Sequence, residues 1–129
     1  MKTLKNITFI LLSILSLYIG LSSCKKDKVY TMEGNWYGFY LNTGDNTENF
    51  IGFNFKTGGH LDVYQDSNNK DFVGTTGTWT MVNNEITMIV PISNTKLTAT
   101  FNSKMGKLTG TWGNNPNSSG NGTWAVTKQ

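Results

Sequence analysis

Residues 77–90 limit the possible folds of this chain more than any other stretch, because apolar and polar side chains alternate there on both sides of an Asn-Asn pair. Alternation with a period of two is the pattern of a β-strand that buries one face. An Asn-Asn pair between two such strands tolerates the positive φ angles of a two-residue hairpin turn. The stretch therefore predicts a β-hairpin with an apolar inner face made of Trp79, Met81, Ile86, Met88 and Val90.

The Gly-Thr-Trp that opens this hairpin recurs at residues 110–112 and 122–124, and Gly34-Asn35-Trp36 is a relative of it. Similar alternation predicts eight strands, at residues 35–41, 50–56, 60–65, 72–82, 85–92, 96–102, 107–113 and 122–128. Consecutive strands with short connections predict an all-β fold, an eight-stranded antiparallel up-and-down barrel. Closure is favoured because it removes the two exposed edges of the sheet. A two-sheet sandwich is the alternative that periodicity leaves open.

The N-terminus has the form of a bacterial export signal. Lys2 and Lys5 precede an apolar run over residues 7–21, which is shorter than the roughly 20 residues that span a bilayer as a helix. The run ends in Leu21-Ser22-Ser23-Cys24, which resembles the lipobox of bacterial lipoproteins. The resemblance implies that residues 1–23 are a lipoprotein signal peptide and that Cys24 is acylated, with palmitate among its lipids, as the new N-terminus. An ordinary signal peptide followed by a free thiol is the alternative, although no second cysteine is present for a disulfide.

Residues 24–32 carry several charges and no apolar periodicity, so we expect a flexible tether between the lipid and a barrel domain at residues 33–129. Lys25-Lys26-Asp27 resembles the short charged tag that directs some lipoproteins to the cell surface, and a solvated linker is its simpler interpretation. The expected location is therefore the outer membrane, on its periplasmic face or at the cell surface.

Two features of the barrel region resemble known families. Gly34-Asn35-Trp36 resembles the Gly-x-Trp that opens lipocalins, and the hairpin at residues 77–90 resembles those of small lipocalin-like domains in bacterial lipoproteins. The resemblance covers about residues 32–129 and implies a barrel that often binds a small molecule. Avidin-like barrels share the eight-strand meander and the Gly-x-Trp start, so they are a second candidate.

Composition argues against several functions. The chain has no arginine, and from Glu33 onward six lysines face seven acidic residues, so we expect no nucleic-acid partner. His60 is the only histidine, which leaves no zinc set. The loop with Asp66, Asn68 and Asp71 lacks the glycine and the glutamate of a calcium loop. No nucleophile or phosphate-binding motif occurs, so we expect no enzyme activity, no metal and no cofactor.

Loop lengths predict which end of the barrel is functional. The connections at residues 42–49, 66–71, 93–95 and 113–121 would share one end, and they are mostly longer than those at 57–59, 83–84 and 103–106. Longer loops usually carry recognition, so we expect a mouth at that end, away from the tether. The inward positions nearest to it are Tyr40, Gln65, Val90, Trp112 and Trp124, a mainly aromatic set suited to a small apolar or aromatic ligand.

The alternative is a barrel filled by its own side chains, since eight strands enclose just enough space for them. Such a protein would be an interaction or structural module of the cell envelope. At the opposite end, Trp36 begins the first strand, and we expect it to plug the barrel.

Overall fold

The alternating segments form eight antiparallel strands that close into one barrel. The computed structural model describes residues 26–70 and 72–129, and the predictions for residues 1–25, including the acylation of Cys24, lie outside this range. The strands are β1 (Gly34–Asn42), β2 (Asn49–Phe55), β3 (His60–Tyr64), β4 (Thr75–Val82), β5 (Glu85–Val90), β6 (Thr95–Asn102), β7 (Lys107–Asn114) and β8 (Gly122–Lys128). Each pairs with its neighbours in sequence, and β1 pairs with β8. The predicted up-and-down barrel is confirmed, and the sandwich is excluded.

The hairpin predicted at residues 77–90 is formed by β4 and β5. Val82 pairs with Glu85, which leaves a two-residue turn in which Asn83 has a φ of 56°. β5 ends at Val90, earlier than predicted, because Pro91 has no N–H to donate and begins a 3₁₀ turn, Pro91–Ser93. β4 begins at Thr75, later than the predicted residue 72, because the N–H of Phe72 closes a turn onto the carbonyl of Asn69.

Trp36 seals the end of the barrel at which β1 begins, which we call the closed end. Its ring is fully buried and meets Phe55 and Phe101 edge to face, at centroid distances of 6.2 and 5.9 Å. Its Nε1 donates to the carbonyl of Met32 at 2.7 Å. The Lys128 ammonium lies 5.3 Å from the indole centroid, and burial lowers the pKa of this lysine. The expected plug is therefore present.

The chain begins to contact the barrel before residue 33. Met32 is buried in the core, and the N–H of Tyr30 donates to the carbonyl of Ser103 at 2.8 Å. These two residues gain burial under the closed end, so the part of residues 24–32 that could act as a tether is shorter than expected. Met81 also departs from its expected place: it is 43% exposed, because it lies one residue from the β4–β5 turn, where the barrel interior ends.

Inward-facing glycines let neighbouring strands approach closely. A Cβ added to Gly110 would lie 1.7 Å from the carbonyl oxygen of Thr98 in β6. A Cβ added to Gly38 would lie 2.0 Å from the carbonyl oxygen of Ala125 in β8. No side chain fits at such distances, so these glycines are required for the close approach of the strands.

Candidate ligand-binding cavity

The barrel is filled at its closed end and hollow at the other. A cavity of about 290 Å³ lies at the end that carries the β1–β2, β3–β4, β5–β6 and β7–β8 connections, and we call it the open-end cavity. This volume is at the lower limit of the roughly 300–1,000 Å³ that small-molecule sites occupy. The sequence left open a barrel filled by its own side chains and a barrel with a cavity, and each of these describes one end of the molecule.

Apolar and aromatic side chains form most of the cavity surface. Its base is made of buried residues from β2, β3 and β6, namely Ile51, Phe53, Val63 and Leu97. Tyr40 and Trp112 form one wall, with their ring centroids 6.0 Å apart and their planes at 90°. Trp112 is held by its Nε1, which donates to the carbonyl of Leu41 at 3.4 Å. The indole and phenol thus offer a corner against which a flat ligand can pack.

The cavity is polar at only a few points, and none of its described lining residues is charged. The hydroxyl of Ser93 donates to the carbonyl of Val90, and that of Thr95 donates to the carbonyl of Ser93, both at 3.3 Å. The Tyr40 hydroxyl and the Gln65 side-chain amide have no hydrogen-bond partner among residues 26–70 and 72–129. These two groups are free to bond a polar atom of a ligand, whereas a charged ligand would find no counter-ion there.

The structure brings four of the five predicted site residues to the cavity. Tyr40, Gln65, Val90 and Trp112 line it, and their role in binding stays a prediction. Trp124 does not line it. Its ring packs 5.4 Å from that of Phe53, and its Nε1 donates to the carbonyl of Thr111 at 3.1 Å.

The position of Trp124 follows from its partner across the β7–β8 ladder. That partner is Gly110, which has no side chain, so the indole fills the space beside it at the level of Phe53. Counting positions along β8 predicted that Trp124 would lie near the mouth. Such counting does not show that the residue paired with Trp124 on β7 is a glycine.

Several residues that line the cavity were not predicted from the sequence. Ile92 was expected to end a strand, but Pro91 turns the chain, and Ile92 stands 83% exposed at the mouth. Thr75 and Gly74 form the rim on the β4 side, where the strand starts late. The signals were available in Pro91 and Gly74, both of which interrupt strands.

A second depression, of about 400 Å³, lies on the outer wall beside Phe39, Leu41 and Ala125. It is lined by residues of β1, β7 and β8, and Glu48 gives it a charged group that the described lining of the open-end cavity lacks. Phe39 is 49% exposed there. This outer-wall depression is the natural comparison for any binding measured at the open-end cavity.

Two further kinds of feature, a metal-binding cluster and a membrane-spanning helix, are not found among the described residues. Within residues 26–70 and 72–129, no group of three or more His, Cys, Asp and Glu side chains could hold a metal. The Asp66 carboxylate accepts the N–H of Asn68 at 2.8 Å, as in an ordinary turn, and Asp71 lies outside the described residues. No helix within the same ranges is long and apolar enough to cross a membrane.

The sequence matches no model of a known protein family and no curated protein, and the structure matches no solved structure.

Proposed function

We propose that this protein is a lipid-anchored lipoprotein of the cell envelope whose lipocalin-like barrel binds a small, uncharged, apolar or aromatic molecule in the open-end cavity. An avidin-like barrel is the alternative family. The observation that carries the binding role is the contrast between the two ends: Trp36 fills one, while the other holds a cavity of about 290 Å³ lined mainly by apolar side chains.

The lining supports this choice of ligand. Transfer of an apolar molecule into an apolar cavity is favourable in proportion to the area removed from water, whereas an unpaired charge would lose its hydration there. The Tyr40 hydroxyl and the Gln65 amide could orient one polar atom. The described lining contains no carboxylate, histidine or cysteine, so the proposed role is binding and not catalysis.

Binding at this cavity can be tested with the neutral dye Nile red. We expect Trp112→Ala to weaken dye binding about tenfold, because loss of an aromatic wall removes about 1.4 kcal/mol of contact energy. Phe39→Ala is the matched control, since it removes an aromatic ring from the outer-wall depression and leaves the cavity unchanged. The anionic dye ANS should bind more weakly than Nile red. The measurement is a fluorescence titration at a temperature where each variant is folded.

The opposite pattern would contradict the cavity proposal. If Phe39→Ala weakens dye binding and Trp112→Ala does not, the dye binds the outer wall. The protein would then be better described as an interaction or structural module of the envelope, for which the exposed ring of Phe39 is the supporting observation.

The anchor is tested separately at Cys24. We expect Cys24→Ala to abolish incorporation of labelled palmitate and to release the protein from the membrane, because the residue that carries the lipid is absent. Ser23→Ala is the matched control, since it keeps a small residue before the cysteine. Equal palmitate labelling of wild type and Cys24→Ala would rule out this anchor. Fractionation of inner and outer membranes would then test the proposed outer-membrane location.

A further inference from the structure

Two turns and the segment before β1 expose apolar side chains to water at the closed end. Val29 precedes β1, Val82 begins the β4–β5 turn beside Met81, and Met105 lies in the β6–β7 turn. Val29, Val82 and Met105 are 68%, 71% and 65% exposed. Isolated exposed apolar residues are common, but here three of them lie at one end of the barrel.

The three segments lie side by side. The N–H of Tyr30 donates to the carbonyl of Ser103, which fixes the chain before β1 against the β6–β7 turn. The N–H of Phe101 donates to the carbonyl of Asn84, which joins β6 to the β4–β5 turn. Residues 26–30, 81–84 and 103–107 therefore form one continuous surface, which we call the closed-end tips.

Lysines surround the apolar residues of the closed-end tips. The exposed ones are Lys26, Lys28, Lys104 and Lys107, and Met105 stands between the last two in the sequence. The acidic residues nearby are Asp27, Glu33 and Glu85, and a Glu85 oxygen accepts the Thr100 hydroxyl at 2.9 Å. Lys56 is also at this end, but it is paired with Asp62 at 2.6 Å. The surface thus combines an excess of lysine with apolar tips.

The open end also exposes apolar side chains, in Ile92 and Phe72, but its charges differ. The described acidic residues there are Asp45, Glu48 and Asp66, against Lys70 and Lys96. An anionic surface would therefore attract the closed end and repel the open end. Apolar side chains bordered by lysines are the combination that binds the interface of an anionic bilayer.

We propose that the closed-end tips rest on the surface of an anionic lipid membrane, with Val82 and Met105 inserted among the headgroups and the open-end cavity facing away. The inference rests on the proposed anchor for bringing the barrel to the membrane. Cys24 stands six positions before Tyr30, whose N–H donates to the carbonyl of Ser103 at this same end. A short connection there holds the closed end, and not the mouth, near the lipid.

The test uses the protein in its membrane-purified form, reconstituted into vesicles of phosphatidylethanolamine and phosphatidylglycerol. Val82→Cys, Met105→Cys and Ile92→Cys each receive one environment-sensitive fluorophore, and vesicles with headgroup-level spin-labelled lipid act as quencher. Ile92 is the matched control, because it is an apolar residue at the open end that is even more exposed than Val82 and Met105. We expect severalfold stronger quenching at positions 82 and 105 than at 92.

A pair of charge variants tests the electrostatic part. Lys104→Gln with Lys107→Gln should reduce quenching of the label at position 82 severalfold, whereas Lys96→Gln at the open end should leave it unchanged. Raising the salt concentration should act in the same direction as the double substitution.

The outcomes separate docking from anchoring. Flotation of the unlabelled protein with vesicles reports the anchor, and the quenching pattern reports the docking. Flotation without stronger quenching at positions 82 and 105 overturns the docking proposal and leaves the anchor standing. Quenching at these positions without stable flotation supports docking and overturns the anchor. If neither is seen, or if position 92 is quenched most, docking on the membrane by the closed end is wrong.

Discussion

Replacement of Trp36 by alanine is expected to lower the free energy of unfolding by about 3–5 kcal/mol, the range for truncating a buried aromatic residue. The indole has no exposed surface, and it packs against Phe55 and Phe101. The substitution would also remove the hydrogen bond to the carbonyl of Met32 and release the segment that closes the barrel. A loss of this size is a large fraction of the stability of an ordinary domain.

The measurement is equilibrium unfolding in urea, monitored by circular dichroism. Phe39→Ala is the control, since Phe39 lies on the same strand and faces outward. It should cost less than about 1 kcal/mol, as half-exposed surface positions usually do. If Trp36→Ala costs no more than Phe39→Ala, Trp36 does not plug the barrel and the register of β1 is wrong.

Gly110→Ala is expected to destabilise the barrel by about 3 kcal/mol, at the upper end of the usual range for overpacking. The added methyl group would lie 1.7 Å from the carbonyl oxygen of Thr98, which belongs to the backbone of β6 and cannot rotate away. This clash can be relieved only if β6 and β7 move apart, and the two strands are fully paired along this stretch. The loss would appear as a lower urea midpoint with a similar slope.

Gly74→Ala is the matched control for this prediction. A Cβ at Gly74 meets nothing nearer than the carbonyl oxygen of Val63 at 3.5 Å, an ordinary contact. Both substitutions reduce the freedom of the unfolded chain to the same extent, so the difference between them reports the clash in the folded state alone. Equal stabilities of the two variants would show that β6 and β7 can move apart at no cost.

The lining of the open-end cavity was predicted in part from the alternation of side chains along the strands. Period two placed Tyr40, Val90 and Trp112 on the inner face, and loop lengths predicted the end at which the cavity lies. The same counting placed Trp124 beside them, but it packs on Phe53 below the cavity. The position of a residue along its strand specifies whether its side chain points into or out of the barrel. How far the side chain lies from the mouth depends on the stagger between neighbouring strands and on which of the paired residues are glycine.

Local alternation and turn residues are enough to predict the number and order of the strands, the inward parity of most side chains and the burial of Trp36. The space that remains inside, the place of Met32 in the core and the exposure of Met81 become evident only in the folded barrel. It also brought Val29, Val82 and Met105 to one surface. These features depend on which residues meet across the closed sheet. Such contacts join positions that are far apart in the chain, so local sequence patterns do not predict them.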